Sequence, residues 1–240
     1  MIECKGLVKT YGLQKALQGI DLDAHPGEIV GLLGTNGAGK TTTLRVLSTL
    51  ARPTAGQVRV AGFDVAANPQ EVRRSIGVVT SDDGLYGRLT PDETLRLSAQ
   101  LRGLPSRIAA ERAETLLQWL DLIGARHQLV ETFSKGMRQK LNIARALLHD
   151  PGVLLFDEPT SGLDPISSRT VLHFLRDQKA AGKTVLFSTH VIHEAEALCD
   201  RVVVIHLGRV LANDCPGAIL AQAETTSLEE AYFHLIGEAL

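Results

Sequence analysis

A glycine-rich octapeptide between an apolar run and a helical stretch constrains this chain more than any other feature. It reads Gly-Thr-Asn-Gly-Ala-Gly-Lys-Thr from Gly34 to Thr41 and fits the phosphate-binding loop pattern G-x-x-x-x-G-K-[ST]. Residues 28–33 before it predict a short apolar strand, and leucines at helical spacing follow in residues 42–50. A strand, a tight turn and a helix N-terminus form an anion site, because unpaired N–H groups and the helix dipole attract negative charge. The segment therefore predicts a nucleoside triphosphate site in an α/β fold.

The residue types in this loop indicate separate roles in holding phosphates. The glycines let the backbone turn tightly and direct N–H groups inward. Lys40 is expected to reach the β- and γ-phosphates, and the Thr41 hydroxyl to bind Mg²⁺. The predicted nucleotide-binding residues here are Gly34, Thr35, Asn36, Gly37, Ala38, Gly39, Lys40, Thr41 and Thr42.

Two adjacent carboxylates follow a second apolar run. Residues 153–156 read Val-Leu-Leu-Phe, and Asp157 and Glu158 come directly after them. At the C-terminal end of a parallel strand, Asp157 is placed to hold Mg²⁺ directly or through water. Glu158 is placed to polarise the water that attacks the γ-phosphate. The two segments together predict a site that hydrolyses the bound nucleotide.

The remainder of the 240 residues predicts one α/β domain with distinct parts. Residues 1–24 predict two antiparallel strands, and residues 58–61 predict a further strand. A capping box at Thr90 opens a helical pattern that runs to about residue 129. After Ser134, helices alternate with β-branched strands, which indicates a parallel sheet. We expect a β subdomain and the phosphate-loop part of the core in residues 1–89, a helical subdomain in 90–132, the rest of the core in 133–223 and a C-terminal helix in 224–240 that packs against the domain.

The net charge and the length of the apolar runs indicate how the chain can interact with nucleic acid and with membranes. The formal net charge of −2 gives no bulk attraction to nucleic acid, so we expect no nucleic acid partner. Apolar runs such as residues 202–205 are far shorter than the ~20 residues that a membrane span requires. Any action at a membrane is therefore expected to depend on another protein.

Three further segments give the chain its resemblance to a known family. Residues 134–138 read Ser-Lys-Gly-Met-Arg, and a helix is predicted over residues 138–148. Residues 160–164 read Thr-Ser-Gly-Leu-Asp after the carboxylates. His190 follows a strand-like run over residues 184–188. With the phosphate loop, these segments resemble, in order, the motifs of the ATP-binding cassette (ABC) ATPases of ABC transporters. The resemblance covers essentially the whole chain. It implies a P-loop NTPase fold, with a mainly parallel core sheet flanked by helices, an antiparallel β subdomain and a helical subdomain.

The resemblance also implies roles for particular residues. Tyr11 corresponds to the aromatic residue that stacks on adenine, and His190 to the switch histidine that contacts the γ-phosphate. Ser134 and Gly136 of the signature segment, and Asp164 of the D-loop, would contact ATP held by a partner cassette. Two cassettes would pair head to tail around two ATP molecules with Mg²⁺. The catalytic residues implied in this way are Lys40, Glu158 and His190.

The segment 75–90 departs from the family pattern, which usually places a Mg²⁺-binding glutamine there. Ser81 stands in its place and is followed by Asp82 and Asp83. The shorter serine side chain would reach the ion only through a water. Two interpretations are open: one of the two aspartates replaces the glutamine as a ligand, or both are turn residues ahead of Gly84.

The resemblance implies a function as the ATP-hydrolysing subunit of an ABC exporter. We expect a homodimer, bound peripherally at the cytoplasmic face of the cell membrane, that drives a separately encoded integral membrane permease. Segments 84–90 and 133–140 resemble the sodium-exporter (Nat-type) branch of the ABC-2 class, which predicts sodium ions as cargo, with drugs, lipids or polysaccharide as alternatives. A soluble ABC ATPase acting on ribosomes or DNA is another interpretation, which the single cassette and the lack of a basic tail disfavour.

Overall fold

The computed structural model describes residues 1–80 and 82–237. The strands are β1 Ile2–Tyr11, β2 Gln14–Ala24, β3 Ile29–Leu33, β4 Ala55–Val60, β5 Phe63–Asp64, β6 Ile76–Val79, β7 Val153–Asp157, β8 Thr184–Thr189, β9 Arg201–His206 and β10 Arg209–Asp214. The helices are α1 Lys40–Leu47, α2 Pro69–Ser75, α3 Pro91–Leu101, α4 Ser106–Trp119, α5 Lys135–Leu147, α6 Pro165–Ala180, α7 Ile192–Leu198, α8 Pro216–Ala223 and α9 Leu228–Ile236. Short 3₁₀ turns lie at Ile123–Ala125 and Val130–Thr132.

A six-stranded sheet in the order β10-β9-β3-β8-β7-β6 carries the functional segments. Its strands from β9 to β6 pair in parallel, and β10 is an antiparallel edge strand on β9. Strands β3, β7 and β8 are buried along their whole length, as expected where both faces of a parallel sheet are covered. Val153 and Leu155 pack into one core cluster, and Leu154 and Phe156 into the other. The predicted mainly parallel α/β core is therefore confirmed.

A smaller antiparallel sheet, in the order β2-β1-β4-β5, confirms the predicted β subdomain. Strand β4 begins at Ala55, earlier than the predicted start at residue 58, because pairing with β1 extends it. Gly56 allows this pairing, since a Cβ there would lie 2.3 Å from the Gly6 carbonyl oxygen. One face of this sheet packs on α1 and on β3 of the larger sheet, so the subdomain borders the loop between β3 and α1.

The helical segment begins as predicted but is not continuous. The capping box is confirmed: the Thr90 N–H donates to the Glu93 carboxylate at 2.8 Å, and the Glu93 N–H donates to the Thr90 hydroxyl at 3.3 Å. The backbone leaves the helix between α3 and α4, where Gly103 has a φ of 68° and Pro105 precedes the next helix. After α4 the chain forms the two 3₁₀ turns instead of a helix reaching residue 129. Within residues 1–80 and 82–237, every helix is too short or too polar to cross a bilayer.

The C-terminal helix α9 packs against the domain, but it begins at Leu228 rather than at the predicted residue 224, and residues 238–240 of the predicted range lie outside the described residues. Its residues Leu228, Ala231 and Tyr232 are buried in a cluster with Leu33 of β3 and Val204 of β9. The Ser227 hydroxyl caps its first turn by accepting from the Glu230 N–H at 3.2 Å. This helix therefore lies against the strand that leads into the glycine-rich loop.

Candidate ATP site

The loop between β3 and α1 has the tight turn that an anion site requires. Gly37 and Gly39 have φ values of 82° and 115°, a region that favours glycine. Gly34 is confined in a different way, because a Cβ there would lie 2.3 Å from the Ile205 carbonyl oxygen. Thr35, Asn36, Gly37 and Thr41 are exposed, Gly39 and Thr42 are half-buried, and Gly34, Ala38 and Lys40 are buried.

The Lys40 side chain folds back over this loop. Its Nζ donates to the Gly34 carbonyl at 2.7 Å and to the Thr35 carbonyl at 3.2 Å, and lies 3.5 Å from Glu158 Oε1. A buried ammonium group requires such partners, since its charge is costly to desolvate. Phosphate oxygens are an alternative set of acceptors for the same charge, so the loop and its lysine form a basic cradle.

Asp157 lies beside the loop and joins it to the core sheet. Its Oδ1 accepts from the Thr41 hydroxyl at 3.1 Å and from the Ser188 hydroxyl at 2.7 Å. Adjacent parallel strands place Asp157 opposite Ser188, and the Glu158 N–H donates to the same serine hydroxyl at 3.0 Å. The sequence analysis did not single out Ser188, although a serine near the end of an otherwise apolar strand was the signal that could have found it.

Thr41 and Asp157 fit a magnesium ion. Both supply oxygen ligands, and Mg²⁺ is usually held by one or two carboxylates together with phosphate oxygens and water. Their oxygens already meet at 3.1 Å, so both can face one ion beside the phosphate cradle. When bound, the ion neutralises charge on the β- and γ-phosphates. Ser81, the third candidate ligand, lies outside the described residues.

The interpretation of Asp83 as a Mg²⁺ ligand is wrong, because both its oxygens are already paired. Arg138 of α5 donates to them at 2.7 and 2.8 Å, and the Leu85 N–H donates at 2.9 Å. Burial raises the pKa of Asp83, but the hydrogen bonds from Arg138 and Leu85 and the charge of Arg138 outweigh it and hold this pKa below its usual value. Asp82 accepts from the Gly84 N–H at 3.3 Å and lines a small pocket with Thr41 and Asp157. The ligand interpretation therefore remains open for Asp82 alone.

Glu158 and His190 face each other at the mouth of the loop. His190 Nδ1 lies 3.3 Å from Glu158 Oε2, while the other carboxylate oxygen faces Lys40. Glu158 has a φ of 48°, a left-handed conformation that is uncommon for a residue with a side chain and is concentrated at functional sites. A partly exposed carboxylate in this position can orient and polarise a water molecule near the phosphate cradle.

Tyr11 lies exposed at the end of β1, in the antiparallel sheet that borders the loop. The Lys9 ammonium lies 4.6 Å from the centre of its ring, a cation–π contact on one side of the aromatic group. An exposed ring of this kind can take a base on its other face. The described contacts give Tyr11 no direct hydrogen bond to the phosphate loop.

The signature segment forms the start of α5 and lies against the start of α6. Ser134 is exposed and caps α5, which begins at Lys135 rather than at the predicted residue 138; its hydroxyl accepts from the Met137 N–H at 3.2 Å. Gly136 is buried against α6, where a Cβ would lie 2.7 Å from the Ser167 hydroxyl. Asp164 caps α6 and accepts from the Ile166 and Ser167 N–H groups, each at 3.0 Å. Among the described hydrogen bonds, none joins Ser134, Gly136 or Asp164 to the phosphate loop.

Comparisons with known proteins agree with this arrangement. The family model described as ABC transporter matches residues 17–161. The chain is 46% identical over 198 residues to the ABC transporter ATP-binding protein NatA of Bacillus subtilis, covering 82% of this chain and 80% of that protein. It is 43% identical over 218 residues to the daunorubicin/doxorubicin resistance ATP-binding protein DrrA of Streptomyces peucetius, covering 91% of this chain and 66% of that protein.

Solved structures show the same likeness over nearly the whole chain. One, described as an ATP-binding subunit of an ABC transporter, has a TM-score of 0.91 at 36% identity and covers 98% of this chain and 99% of its own. Another, a dimeric ATP-binding cassette in a post-hydrolysis state bound to ADP and phosphate, has a TM-score of 0.80 at 28% identity, covering 90% of this chain and 98% of its own. The chain belongs to the ABC transporter ATP-binding family. It is an ATPase, the ATP-binding subunit of a transporter.

Proposed function

We propose that this chain is the ATP-hydrolysing subunit of an ABC exporter, that it pairs with a second copy of itself around two ATP molecules, and that it drives a separately encoded integral membrane permease from the cytoplasmic face of the membrane. The observation that carries the proposal is the separation of the site into two unlike halves. Lys40 lies 3.5 Å from Glu158 and the Thr41 hydroxyl 3.1 Å from Asp157, whereas Ser134 is exposed and has no described hydrogen bond to these residues.

In this proposal the residues have the roles that the motifs imply. Lys40 and the loop N–H groups bind the β- and γ-phosphates, and Thr41 and Asp157 hold Mg²⁺. Glu158 polarises the attacking water as general base, and His190, 3.3 Å from it, contacts the γ-phosphate. Tyr11 stacks on adenine, and Asp82 is the remaining candidate for an additional ion contact.

A second copy completes the site because one chain exposes the donors it does not use. Ser134 and the first N–H groups of α5 lie at an exposed helix N-terminus, where unpaired donors and the helix dipole favour a phosphate. Glu158 and Ser134 are both present, so a homodimer would have two complete sites. Hydrolysis removes the γ-phosphate that links the two copies, which allows the dimer to open.

A wide groove supports coupling to a permease. It has a volume of about 1090 Å³ and lies between the end of α3 and the α1–α2 side of the core. Leu50 and Leu101 on its rim are 67% and 81% exposed, and Arg73, Arg74 and Arg102 line it. Exposed leucines among arginines suit an amphipathic helix with acidic residues. The groove is the surface where we place the cytoplasmic helix of the permease.

The identity of the cargo is the most specific part of the proposal. The resemblance to the sodium-exporter branch favours sodium ions. The identity with the drug-resistance protein DrrA keeps drug export as the second candidate. Cargo contacts lie in the permease, so identifying that subunit decides between them.

The experiment is copurification of the tagged chain from detergent-solubilised membranes of its own host. We expect a multispanning membrane protein in stoichiometric amount with the wild type, and its loss with Leu101→Asp. Leu13→Asp is the matched control, because Leu13 is fully exposed but lies in the β1–β2 turn away from the groove. Recovery of ribosomal proteins or nucleic acid instead would support the soluble ABC ATPase and contradict the exporter.

A further inference from the structure

We infer that Tyr232 of the C-terminal helix is a positioning residue of the ATP site, whose hydroxyl fixes the start of the phosphate loop. The Thr35 N–H donates to the Tyr232 hydroxyl at 3.2 Å. The inference rests on the proposed role of residues 34–42 as the phosphate-binding loop. It gives the last described helix a function in nucleotide binding that its apolar face alone does not imply.

The hydroxyl is held firmly enough to act as a fixed acceptor. Tyr232 is only 4% exposed, and its ring packs edge-on against Phe233 with centroids 5.8 Å apart. Leu33, the residue before the loop, is buried in the same cluster. Because the ring is anchored by packing, the hydroxyl restrains the backbone of Thr35 at low entropic cost.

A second contact from the C-terminal third of the chain supports the other end of the exposed part of the loop. The Gly208 N–H, in the turn between β9 and β10, donates to the Ala38 carbonyl at 2.8 Å. The two contacts lie at opposite ends of the exposed stretch 35–37, which has no other described support from outside the loop. They fix the ends of this stretch and leave its middle free to face phosphate.

The same helix also reaches the segment after the switch histidine. Helix α7 begins two residues after His190, and its Ala195 is buried with Tyr232 in one cluster. A shift of α9 would therefore displace both the phosphate loop and the start of α7 near His190. Preorganisation of this kind lowers the cost of ordering the loop when nucleotide binds.

The test is Tyr232→Phe, which keeps the ring and removes the acceptor. With MANT-ATP and Mg²⁺ as the probe, we expect the Kd to rise about three- to tenfold, the loss of one hydrogen bond. The KM for ATP should rise in parallel while kcat stays within about twofold, because Tyr232 does not contact the reacting groups. A role in folding alone would instead lower the thermal midpoint and the active fraction without moving KM. Tyr86→Phe is the matched control, since its ring is 67% exposed.

A second measurement needs no variant. In the wild type, the Thr35 amide should exchange with solvent more slowly than the Asn36 amide, since only the first has a described acceptor. Equal exchange rates, or an unchanged Kd in Tyr232→Phe beside a wild type that binds MANT-ATP, would overturn the inference and leave the proposed function intact. A wild type that does not bind MANT-ATP would overturn both.

Discussion

The phosphate-loop half of the site and the signature half are built in contrasting ways. In the first, the loop, Asp157 and Glu158 are tied to each other and to buried strands through Lys40, Thr41 and Ser188. In the second, the described hydrogen bonds of the exposed Ser134 stay within its own helix, since it accepts from the N–H groups of Met137 and Arg138. One half is preassembled within the chain, and the other presents its donors outward.

The contrast fits the proposed function, in which one chain binds ATP and a second copy is needed to complete hydrolysis. Binding requires the cradle, which the fold supplies. Stabilising the charge that develops on the γ-phosphate requires further fixed donors, which the proposed function assigns to Ser134 and the start of α5 in a second copy. Within the chain, Arg138 of the signature helix pairs with Asp83, which neighbours Asp82 of the pocket that Thr41 and Asp157 line.

The largest effect is expected from Glu158→Gln, which tests the preassembled half. Loss of the general base should lower kcat by about 10²–10⁴-fold, with MANT-ATP binding retained. Phosphate release and fluorescence titration measure the two quantities. Glu196→Gln is the control, because Glu196 is an exposed carboxylate on α7 with no assigned role. Hydrolysis within tenfold of the wild type would show that another group activates the water.

A smaller effect is expected from Gly208→Ala, which disturbs the support of the cradle from outside. Gly208 has a φ of 76°, and a Cβ would lie 2.6 Å from the Ala16 carbonyl oxygen, so the turn must shift. We expect the free energy of unfolding to fall by about 2–4 kcal/mol and the Kd for MANT-ATP to rise about three- to tenfold, as the contact to Ala38 is lost.

Gly182→Ala is the matched control for that variant. Gly182 has a φ of 80° but nothing within 4 Å of its Cβ position, so only the left-handed conformation is penalised, by roughly 1–2 kcal/mol. Urea unfolding and fluorescence titration of both variants separate the penalty for the left-handed backbone conformation from the effect of losing the contact to Ala38. Equal Kd values for the two variants would contradict support of the loop by this turn.

The smallest effect is expected from Asp83→Asn, which breaks the link between the two halves. At neutral pH we expect a loss of about 1–3 kcal/mol in the free energy of unfolding, because Asp83 and Arg138 form a partly buried, two-point pair. The folded-state pKa of Asp83 lies below the unfolded value, about 3.9. The stabilisation of the folded state by the Asp83 carboxylate is therefore fully present at a pH above the unfolded pKa, and it is lost as the pH falls through the folded-state pKa.

Urea unfolding from pH 7 to pH 3 measures this difference between the wild type and Asp83→Asn. Asp82→Asn is the control, since Asp82 is exposed, and its effect should stay within about 0.5 kcal/mol. A difference between wild type and Asp83→Asn that does not shrink at acid pH would show that the carboxylate charge is not the source of the stability.

Local motifs predicted the residues of the phosphate cradle, but they did not predict the long-range contacts that support it. The loop at 34–41, the carboxylates after β7 and the cap at Thr90 are each written in a short, continuous stretch, so their geometry follows from local rules. Ser188, Gly208 and Tyr232 meet the site only because the sheet brings distant segments together, at separations of up to 197 residues. A single sequence contains no local signal that pairs Gly208 or Tyr232 with the loop, and for Ser188 its signal is only a serine near the end of an apolar strand.

Two departures from the sequence expectations have the same origin. The pairing of Asp83 with Arg138 joins residues 55 apart and removes Asp83 from the candidates for Mg²⁺. The early start of β4 depends on its partner β1 and on the close approach at Gly56. In both, tertiary pairing decides what local propensity leaves open.

The most direct test of the two-half account is the mass of Glu158→Gln in solution with and without ATP. Sedimentation equilibrium with Mg²⁺ and ATP should give twice the mass of one chain, and without nucleotide the mass of one chain, because unhydrolysed ATP holds the phosphate cradle of each copy against Ser134 of the other. Adding Ser134→Arg, which places bulk at that contact, should return the protein to the mass of one chain while MANT-ATP still binds. A Glu158→Gln chain that binds ATP and keeps the mass of a single chain would contradict the account.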